Sequence, residues 1–271
     1  MNLSDQQFHR YARHLILDEV GEEGQEKLLA SHVLVIGAGG LGSPALMYLA
    51  AAGVGTLGIA DDDKVDLTNL QRQIVHTTDR VGENKVESAI DALAAINPDV
   101  RVVPYKMRID ASNAIDLVSQ YDLVIDGSDN FATRYLLNDA CYLAKKTLVA
   151  ASLLRFEGQI STFKAHDGNG PCYRCVFPER PPADLVPRCE EAGILGAVAG
   201  VMGTLQAAET IKELLGLGES LSGTLLIYDA LDAQFRRIKV KRNPACALCG
   251  DHATIRDLTV HQAHAPASAS R

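Results

Sequence analysis

The sequence lacks an excess of positive charge. Its 26 Lys and Arg residues are outnumbered by 34 Asp and Glu residues, which leaves a formal net charge of -8. Surfaces that bind nucleic acids usually carry a basic patch or stripe, because the phosphate backbone is polyanionic. The charge balance therefore argues against a nucleic-acid-binding protein.

The sequence also lacks a membrane-spanning run and a secretory leader. Its most apolar stretch, Ile194–Ala208, is rich in Gly and Ala and is followed by Glu209 and Lys212. This pattern predicts a buried helix and not a membrane crossing. Residues Met1–Arg10 are polar and contain no apolar core of a signal peptide. These absences predict a cytoplasmic protein that does not bind membranes.

A short apolar run at positions 33–36 leads directly into a glycine-rich turn. Gly37, Gly39 and Gly42 match the G-x-G-x-x-G spacing, in which a strand passes through a tight turn into a helix. The backbone of such a turn can approach a phosphate closely. The helix N-terminus adds free N–H donors and the positive end of a dipole. The spacing predicts a nucleotide site without specifying the nucleotide.

Strand-like and helix-like segments alternate through the first half of the chain. A helical region over 4–30 precedes strands that are predicted at 32–37, 56–60, 100–105, 121–126 and 147–151. Because helical segments separate these strands, the pattern predicts an α/β fold with a doubly wound, mostly parallel Rossmann-like sheet. After Ala151 the pattern favours antiparallel strands that extend this sheet.

The predicted antiparallel strands lie at 156–165, 224–228 and 235–240, and a long helix is predicted over 192–215. We expect one domain over residues 1–250. The polar segment 251–271 ends in Ala-Pro-Ala-Ser-Ala-Ser-Arg, which is typical of a disordered tail.

Four of the six cysteines form two C-x-x-C pairs, Cys172 with Cys175 and Cys246 with Cys249. In a reducing compartment such pairs hold a metal more often than they form disulfides. Four thiolates suit tetrahedral Zn²⁺, so the spacing predicts a structural four-cysteine zinc site that ties a mid-chain loop to the C-terminal region. Two independent redox-active or buried pairs are the alternative.

Four polar residues bear on which nucleotide binds. Asp61 lies about 20 positions past the glycines, where an NAD enzyme holds a ribose hydroxyl. The sequence shows neither a His/Arg pair suited to a hydroxy-acid substrate nor a separate substrate domain, so little else supports an NAD enzyme. Arg72 and Lys85 suit phosphate oxygens, and Asp129, just past a predicted parallel strand, suits Mg²⁺. Each alone is typical of a surface or turn residue, but together they favour a nucleoside triphosphate.

The combined motifs resemble the ThiF-like, ubiquitin-activating-like adenylyltransferases of sulfur-carrier metabolism. The likeness runs from about Ser4 to Gly250, and it is closest to the molybdopterin-synthase adenylyltransferase branch. Besides the glycine turn and the cysteine pairs, the motifs that carry it are Arg10-Tyr11-Ala12-Arg13, Asp61-Asp62-Asp63, Asn69-Leu70-Gln71-Arg72-Gln73, Val81-Gly82-Glu83-Asn84-Lys85, Asp126-Gly127-Ser128-Asp129-Asn130 and Arg155-Phe156-Glu157-Gly158-Gln159.

The resemblance implies ATP-dependent adenylation of the C-terminal Gly-Gly carboxylate of a small ubiquitin-fold sulfur-carrier protein, with Mg²⁺. The small subunit of molybdopterin synthase is the carrier that we expect; the thiazole and cysteine pathways offer alternatives. An NAD-dependent oxidoreductase and a non-catalytic, zinc-stapled binding module are rival readings. The chain stops soon after Cys249–Leu258, a segment that leads into a sulfurtransferase domain in longer relatives. The resemblance therefore implies a separate sulfur donor.

Residue roles follow from the same resemblance. Gly40 and its turn would lie against the phosphates, and Asp61 would hold the ribose. Asp129 with Asn130 would organise Mg²⁺ and the reacting carboxylate. The implied nucleotide-binding set is Gly40, Asp61, Asn69, Leu70, Gln71, Arg72, Lys85, Asp129 and Asn130, and the implied catalytic set is Arg13, Arg72, Lys85 and Asp129.

Two residues have competing interpretations. By its pattern alone, Arg13 is a charge on a solvated helix face, but the resemblance implies that it reaches the nucleotide of a second subunit in a homodimer. Cys189 precedes a predicted helix, whose dipole favours a thiolate. In some members of the resembled family the matching cysteine links covalently to the carrier. A loop cysteine without a covalent role is the alternative.

Overall fold

The computed structural model describes residues 3–168, 170–181 and 193–264. Within these ranges the strands are β1 His32–Ile36, β2 Thr56–Ala60, β3 Arg101–Tyr105, β4 Leu123–Asp126, β5 Thr147–Leu154, β6 Glu157–Phe163, β7 Thr224–Asp229 and β8 Gln234–Lys239. The helices are α1 Asp5–Leu15, α2 Gly21–Ala30, α3 Gly42–Ala52, α4 Lys85–Ile96, α5 Ala114–Ser119, α6 Phe131–Leu143, α7 Tyr173–Val176 and α8 Gly196–Leu215.

The strands form one sheet in the order β3-β2-β1-β4-β5-β6-β7-β8. Strands β1 to β5 pair in parallel, and β6, β7 and β8 add in antiparallel fashion at the β5 edge. The order of the first five strands is that of a doubly wound nucleotide-binding fold. The predicted fold class, including the antiparallel extension, is therefore confirmed.

Helices cover both faces of the parallel part of the sheet. Val33 and Val35 of β1 pack in a core with residues of α3, α4 and α8. Leu34 and Ile36 of the same strand face the other way, into a core with α5 and α6. Because alternate side chains of a strand point to opposite faces, a strand covered on both sides must be apolar throughout. This two-sided burial explains why residues 33–36 are all apolar.

The helical region predicted over 4–30 consists of two helices, α1 and α2. Ser4 begins α1 with a capping box: its hydroxyl accepts from the Gln7 backbone N–H at 3.2 Å, and the Gln7 side chain accepts from the Ser4 N–H at 2.9 Å. Tyr11 is buried, and its hydroxyl accepts a hydrogen bond from the Asn97 side chain at 2.9 Å. These contacts anchor α1 to the domain.

The chain after Gly250 differs from the predicted disordered tail as far as residue 264. Ile255 and Leu258 are buried, and a short 3-10 helix spans Thr259–His264. The buried apolar side chains account for the order, since they pack against the cysteine region and the α6 side of the sheet. Residues 265–271 lie outside the described residues.

The long helix predicted over 192–215 begins at Gly196 in the structure. Its predicted start, and Cys189 before it, lie outside the described residues. Within the ranges that the structure describes, no helix is both long and apolar enough to cross a membrane.

Two of the glycines in helix α8 have contrasting surroundings. A Cβ at Gly203 would lie 2.2 Å from the Leu41 carbonyl oxygen, whereas a Cβ at Gly200 would have no neighbour within 4 Å. We expect Gly203→Ala to lower the free energy of unfolding by about 1–3 kcal/mol, because the backbone of the glycine turn blocks the methyl group.

The matched variant Gly200→Ala should raise the free energy of unfolding by up to about 1 kcal/mol, because alanine is the better helix former. Urea denaturation of both variants measures the difference. Equal stabilities for the two variants would contradict the packing of α8 on the turn.

Candidate active site

A cleft of about 280 Å³ opens at the carboxyl ends of β1, β2 and β4. Strands β1 and β4 are neighbours, but the helices that follow them, α3 and α6, pack on opposite faces of the sheet. Doubly wound folds bind ligands at this kind of switch point. The predicted residues that line the cleft are Gly37, Gly39, Gly40, Asp61, Arg72, Lys85, Asp129 and Asn130.

The glycine turn is held from both sides of Ala38. The Ala38 N–H donates to Asp61 Oδ2 at 2.8 Å, and the Ala38 carbonyl oxygen lies 2.9 Å from His76 Nε2. Since a carbonyl oxygen only accepts, Nε2 of His76 carries the proton. The other ring nitrogen, Nδ1, lies 2.9 Å from the Ser88 hydroxyl on α4. The turn is thus fixed relative to both β2 and α4.

Burial shifts the titration of both groups that hold the turn. It lowers the pKa of His76 below its ordinary 6.5, and the charge of Lys85 adds to the lowering while the bond to Ala38 opposes it. Burial also raises the pKa of Asp61, against the opposing effects of Lys85 and of the backbone bonds from Asp63 and Ala38. A neutral imidazole therefore supports the turn near neutral pH.

Arg72 crosses directly over the glycine turn. A Cβ at Gly40 would lie 3.3 Å from Arg72 Cγ and 3.3 Å from the Ala199 side chain of α8. Glycine at this position leaves room for the arginine stem between the turn and the helix. The guanidinium, which bonds to the Thr68 carbonyl oxygen at 3.3 Å, can therefore reach a phosphate that lies against the turn.

Lys85 is a buried cation in the cleft wall. Its side chain is 6% exposed, and Nζ lies 2.9 Å from Asp63 Oδ2. Lys85 stands at the start of α4, where the Asn84 side chain caps the helix by accepting from the Val86 N–H at 3.0 Å. Asp63 is largely exposed, so an anionic ligand in the cleft can share Lys85 or replace this partner.

Asp129 and Asn130 form the rim of the cleft at the start of α6. The Asn130 side chain accepts from the Thr133 N–H at 2.9 Å and thereby caps the helix. Asp129 is exposed beside it. An exposed carboxylate beside a phosphate site is a ligand that Mg²⁺ prefers, so the residues present fit the predicted ion.

Three residues of the implied nucleotide set lie on the approach to Arg72 and do not line the cleft. The Asn69 carbonyl oxygen accepts from the backbone N–H groups of Arg72 and Gln73, each at 3.0 Å. Leu70 ends a 3-10 turn, and Gln71 lies against α8, because a Cβ at Gly196 would stand 2.1 Å from its carbonyl oxygen. They shape the loop that presents Arg72.

Arg13 and Cys189 are the two predicted residues that remain. Arg13 is exposed on α1 and does not line the cleft. Cys189 lies outside the described residues, so the structure shows nothing of its surroundings.

Sequence reasoning missed several residues that line the cleft or support its glycine turn. Gln73 and Asp63 were adjacent to predicted residues, and their motifs were the available signal. His76 and Arg134 had no such signal. His76 acts through the backbone of a residue 38 positions away, and Arg134 lies inside α6, beyond the end of the motif Asp126–Asn130.

The four paired cysteines converge into one cluster. The nearest sulfur–sulfur distances are 3.3 Å for Cys175 to Cys249, 3.5 Å for Cys172 to Cys246 and 3.5 Å for Cys172 to Cys249. Four sulfurs at about 2.3 Å from one tetrahedral zinc ion would stand about 3.8 Å apart. The cluster can hold zinc, as the C-x-x-C spacing predicted.

A buried carboxylate on α6 ties the cysteine cluster to the cleft side of the sheet. Asp139 accepts two bonds from Arg174, at 2.8 and 2.7 Å, and lies 2.8 Å from His261 Nε2. Burial alone would raise the pKa of Asp139, but the bonds from His261 and Arg174 outweigh it and hold the pKa low. Since Arg174 lies between two cluster cysteines, this network fixes the cluster on α6.

A second cavity, of about 890 Å³, adjoins the cleft, and we call it the sheet groove. Its floor is a row of side chains across β5 to β8: Ser152, Gln159, Ile227 and Arg236. This face of the antiparallel extension is opposite to the one that packs on α8. Asp129, Asn130, Leu153 and Arg134 line both cavities, so the sheet groove and the cleft meet at these four residues.

The fold and the cleft define an α/β enzyme of the nucleotide-binding class. The ThiF family model matches residues 11–248, and the chain belongs to the ThiF family. It is 49% identical over 266 residues to the Thermus thermophilus sulfur carrier protein adenylyltransferase, a match that covers 97% of this chain and 98% of the relative. Relatives at about 50% identity over most of the chain are named adenylyltransferases, and the chain is an adenylyltransferase.

Two further relatives show the breadth of this similarity. The chain is 50% identical to the SAMP-activating enzyme E1 of Haloferax volcanii, over 93% of this chain and 92% of the relative. It is 51% identical to the adenylyltransferase and sulfurtransferase MOCS3 of Bos taurus, over 99% of this chain but 59% of that longer protein.

A crystal structure of E. coli MccB with MccA-N7isoASN has the same fold. Its TM-score is 0.79 at 23% identity, and the match covers 92% of this chain and 76% of that one.

We expect the purified protein to contain about one zinc ion per chain. Replacing Cys246 with Ser should abolish the bound zinc and lower the Tm, because three thiolates no longer close the tetrahedron. Metal analysis of both proteins checks this. Cys141→Ser is the control, since Cys141 is buried outside the cluster and should leave the zinc content unchanged. A metal-free wild-type protein would contradict the zinc site.

The lowered pKa of His76 makes stability depend on pH. As the pH falls below 6.5, the ordinary pKa, the unfolded chain takes up the imidazole proton before the folded protein does. The contribution is therefore fully present above that pH and is lost as the pH falls toward the folded pKa. We expect His76→Gln, which can donate to Ala38 and accept from Ser88, to lose less stability between about pH 7.5 and about pH 5.5 than the wild type.

Urea unfolding at both pH values measures this difference. His9→Gln, a change at an exposed position on α1, should keep the wild-type pH dependence. An identical pH dependence in wild type and His76→Gln would show that His76 does not titrate as described.

Proposed function

We propose that this adenylyltransferase activates the C-terminal carboxylate of a ubiquitin-fold sulfur-carrier protein that ends in Gly-Gly, using ATP and Mg²⁺. The observation that carries the proposal is that the sheet groove and the cleft share four lining residues, because a protein tail that lies in the groove would then bring its carboxylate to a nucleotide in the cleft. The name of the Thermus relative, a sulfur carrier protein adenylyltransferase, supports the substrate class.

In this reaction a carboxylate oxygen of the carrier attacks the α-phosphorus of ATP. The bond from that phosphorus to the bridging oxygen breaks, and pyrophosphate leaves with the electron pair. The product is an acyl-adenylate, which sulfur later converts to a thiocarboxylate with release of AMP. Since the phosphates gain charge on the leaving side, the chemistry depends on in-line positioning and on nearby cations.

The described residues supply both needs. The glycine turn, held at Ala38 by Asp61 and His76, would seat the phosphates. Arg72 above Gly40 and Lys85 in the wall would hold the triphosphate charge. Bound Mg²⁺ would supply further charge neutralisation, and Asp129 is the carboxylate that we assign to it. We also assign the ribose to Asp61, as the resemblance implied.

We propose the small subunit of molybdopterin synthase as the carrier. The support is the resemblance of the segments 69–85 and 157–159 to the molybdopterin branch. Glu157 and Gln159 line the sheet groove, where a carrier tail would touch them. The proposal also includes a separate sulfur donor and a cytoplasmic location. A covalent link through Cys189 stays a hypothesis.

We further propose that the active form is a homodimer in which Arg13 of one subunit reaches the nucleotide of the other. The support is that Arg13 is exposed on α1 and stands outside the cleft of its own chain.

We expect the protein to catalyse ATP–pyrophosphate exchange that requires both Mg²⁺ and the carrier. Lys85→Ala and Asp129→Ala should each reduce this exchange by at least about a hundredfold, because the first removes a cation from the reacting phosphates and the second removes the carboxylate that we assign to Mg²⁺. Lys27→Ala, which breaks an exposed ion pair with Glu23 on α2, is the control and should keep full activity.

Exchange that survives both cleft variants would contradict the site assignment. Calorimetry with ATP and with NAD separates the rival readings. Tight NAD binding without an effect of Mg²⁺ would favour the oxidoreductase, and a folded protein that binds neither nucleotide would favour a non-catalytic binding module.

A further inference from the structure

Arg134 is a buried cation with few partners. It lies on α6 and is 8% exposed. Its Nη2 donates to the Ser128 carbonyl oxygen at 3.1 Å, and its guanidinium lies 5.5 Å from the centroid of the Phe131 ring and interacts with the Tyr173 side chain. Within the described residues its Nε has no partner, and no carboxylate is bonded to the guanidinium. An arginine carries five N–H donors. A buried charge with few acceptors is unfavourable, so the unpaired N–H donors of this side chain are available to bind an anion.

A half-buried arginine of the same region, Arg174, has the carboxylate partner that Arg134 lacks. Arg174 donates from Nε and from Nη2 to the two oxygens of Asp139, at 2.8 and 2.7 Å. Asp139 lies on α6, the helix that also carries Arg134. The structure therefore completes a paired arginine–carboxylate contact for Arg174, and in the described residues it leaves Arg134 without one.

Asp126, a buried carboxylate in the same region, does not fill this role. Its Oδ1 accepts from the N–H and the hydroxyl of Ser128, at 2.9 and 2.6 Å, and its Oδ2 has no partner within the described chain. Burial raises the pKa of Asp126, although Arg134 opposes that rise. The two groups influence each other at a distance without forming an ion pair.

The position of Arg134 matches the path of the proposed substrate. It is one of four residues that line both the cleft and the sheet groove. Among the described cations, Arg72, Lys85 and Arg108 line the cleft alone, and Arg180 and Arg236 line the groove alone. A tail that passes from groove to cleft therefore meets Arg134 at the junction.

We propose that Arg134 binds the terminal carboxylate of the carrier at the junction of the sheet groove and the cleft. This inference rests on the proposed function. A guanidinium can hold a carboxylate with two parallel hydrogen bonds, and its charge would offset the repulsion between that carboxylate and the phosphates of ATP. Arg134 thereby selects partners that end in a free carboxylate, as opposed to an amide or an extended chain.

The test compares two forms of one carrier, with a free C-terminus and with a C-terminal amide. The molybdopterin-synthase, thiazole and cysteine-pathway carriers are first screened for exchange with the wild-type enzyme, and the active one is used. Calorimetry then gives the ratio of the two Kd values. We expect the wild type to prefer the free acid by at least about tenfold, which is typical of a charged hydrogen bond, and Arg134→Gln to bring the ratio close to one.

Arg237→Gln is the matched control. Arg237 is exposed on β8 and is paired with Glu219, and it does not line the groove, whereas its neighbour Arg236 does. This variant should keep the wild-type ratio, and ATP should bind all three proteins with the same Kd. A merely structural role for Arg134 would weaken both carrier forms equally and would leave the ratio unchanged.

The outcomes separate the two proposals. If no carrier supports exchange, the proposed function fails, and the Arg134 inference fails with it. If the wild type catalyses exchange but Arg134→Gln keeps the wild-type Kd ratio, the Arg134 inference alone is overturned. The same conclusion follows if Arg134→Gln loses affinity for ATP while the ratio stays constant.

If Arg134→Gln does not fold, Arg134→Lys replaces it. Lysine keeps the charge without the paired donors, so we expect an intermediate ratio, and a full wild-type ratio overturns the inference.

Discussion

The whole site depends on backbone contacts that leave no room for side chains at the turn after β1. A Cβ at Gly42 would stand 1.8 Å from the Gly37 carbonyl oxygen, and a Cβ at Gly37 would stand 2.9 Å from the Gly127 carbonyl oxygen. Gly37 also has a φ of +92°, which glycine adopts without strain. Because the turns after β1 and β4 touch through glycines, α3 and α6 begin beside one another and the cleft forms between them.

The cations of this region differ in how fully they are paired with carboxylates. Lys85 is paired with Asp63, which is largely exposed, and the Arg72 guanidinium donates a hydrogen bond only to the Thr68 carbonyl oxygen in the described chain. Arg174, away from the cleft, is fully paired with Asp139. Cations that have few acceptors within the protein can bind anionic ligands from solution. This difference separates the cleft from the purely structural network beside it.

The buried carboxylate of Asp139 connects the cysteine cluster and the C-terminal segment to α6. Asp139 joins Arg174 of the cluster and His261 of the C-terminal segment. Tyr135 on the same helix lies 4.9 Å below the Arg174 guanidinium. The C-terminal segment is therefore ordered as far as residue 264 by contacts with α6, although its composition resembles that of a flexible tail.

The sequence by itself determined the doubly wound, mostly parallel sheet, the glycine turn, the cleft residues at strand ends and the two cysteine pairs. These features follow from local spacing: apolar runs, a G-x-G-x-x-G turn and a C-x-x-C turn each specify geometry within a few residues. Only the tertiary structure decided the roles of His76, Asp139 and Arg134 and the existence of the groove. His76 and Asp139 contact residues that stand tens of positions away along the chain, and Arg134 lies between two cavities whose walls come from distant segments. Such contacts leave no periodic trace in a single sequence.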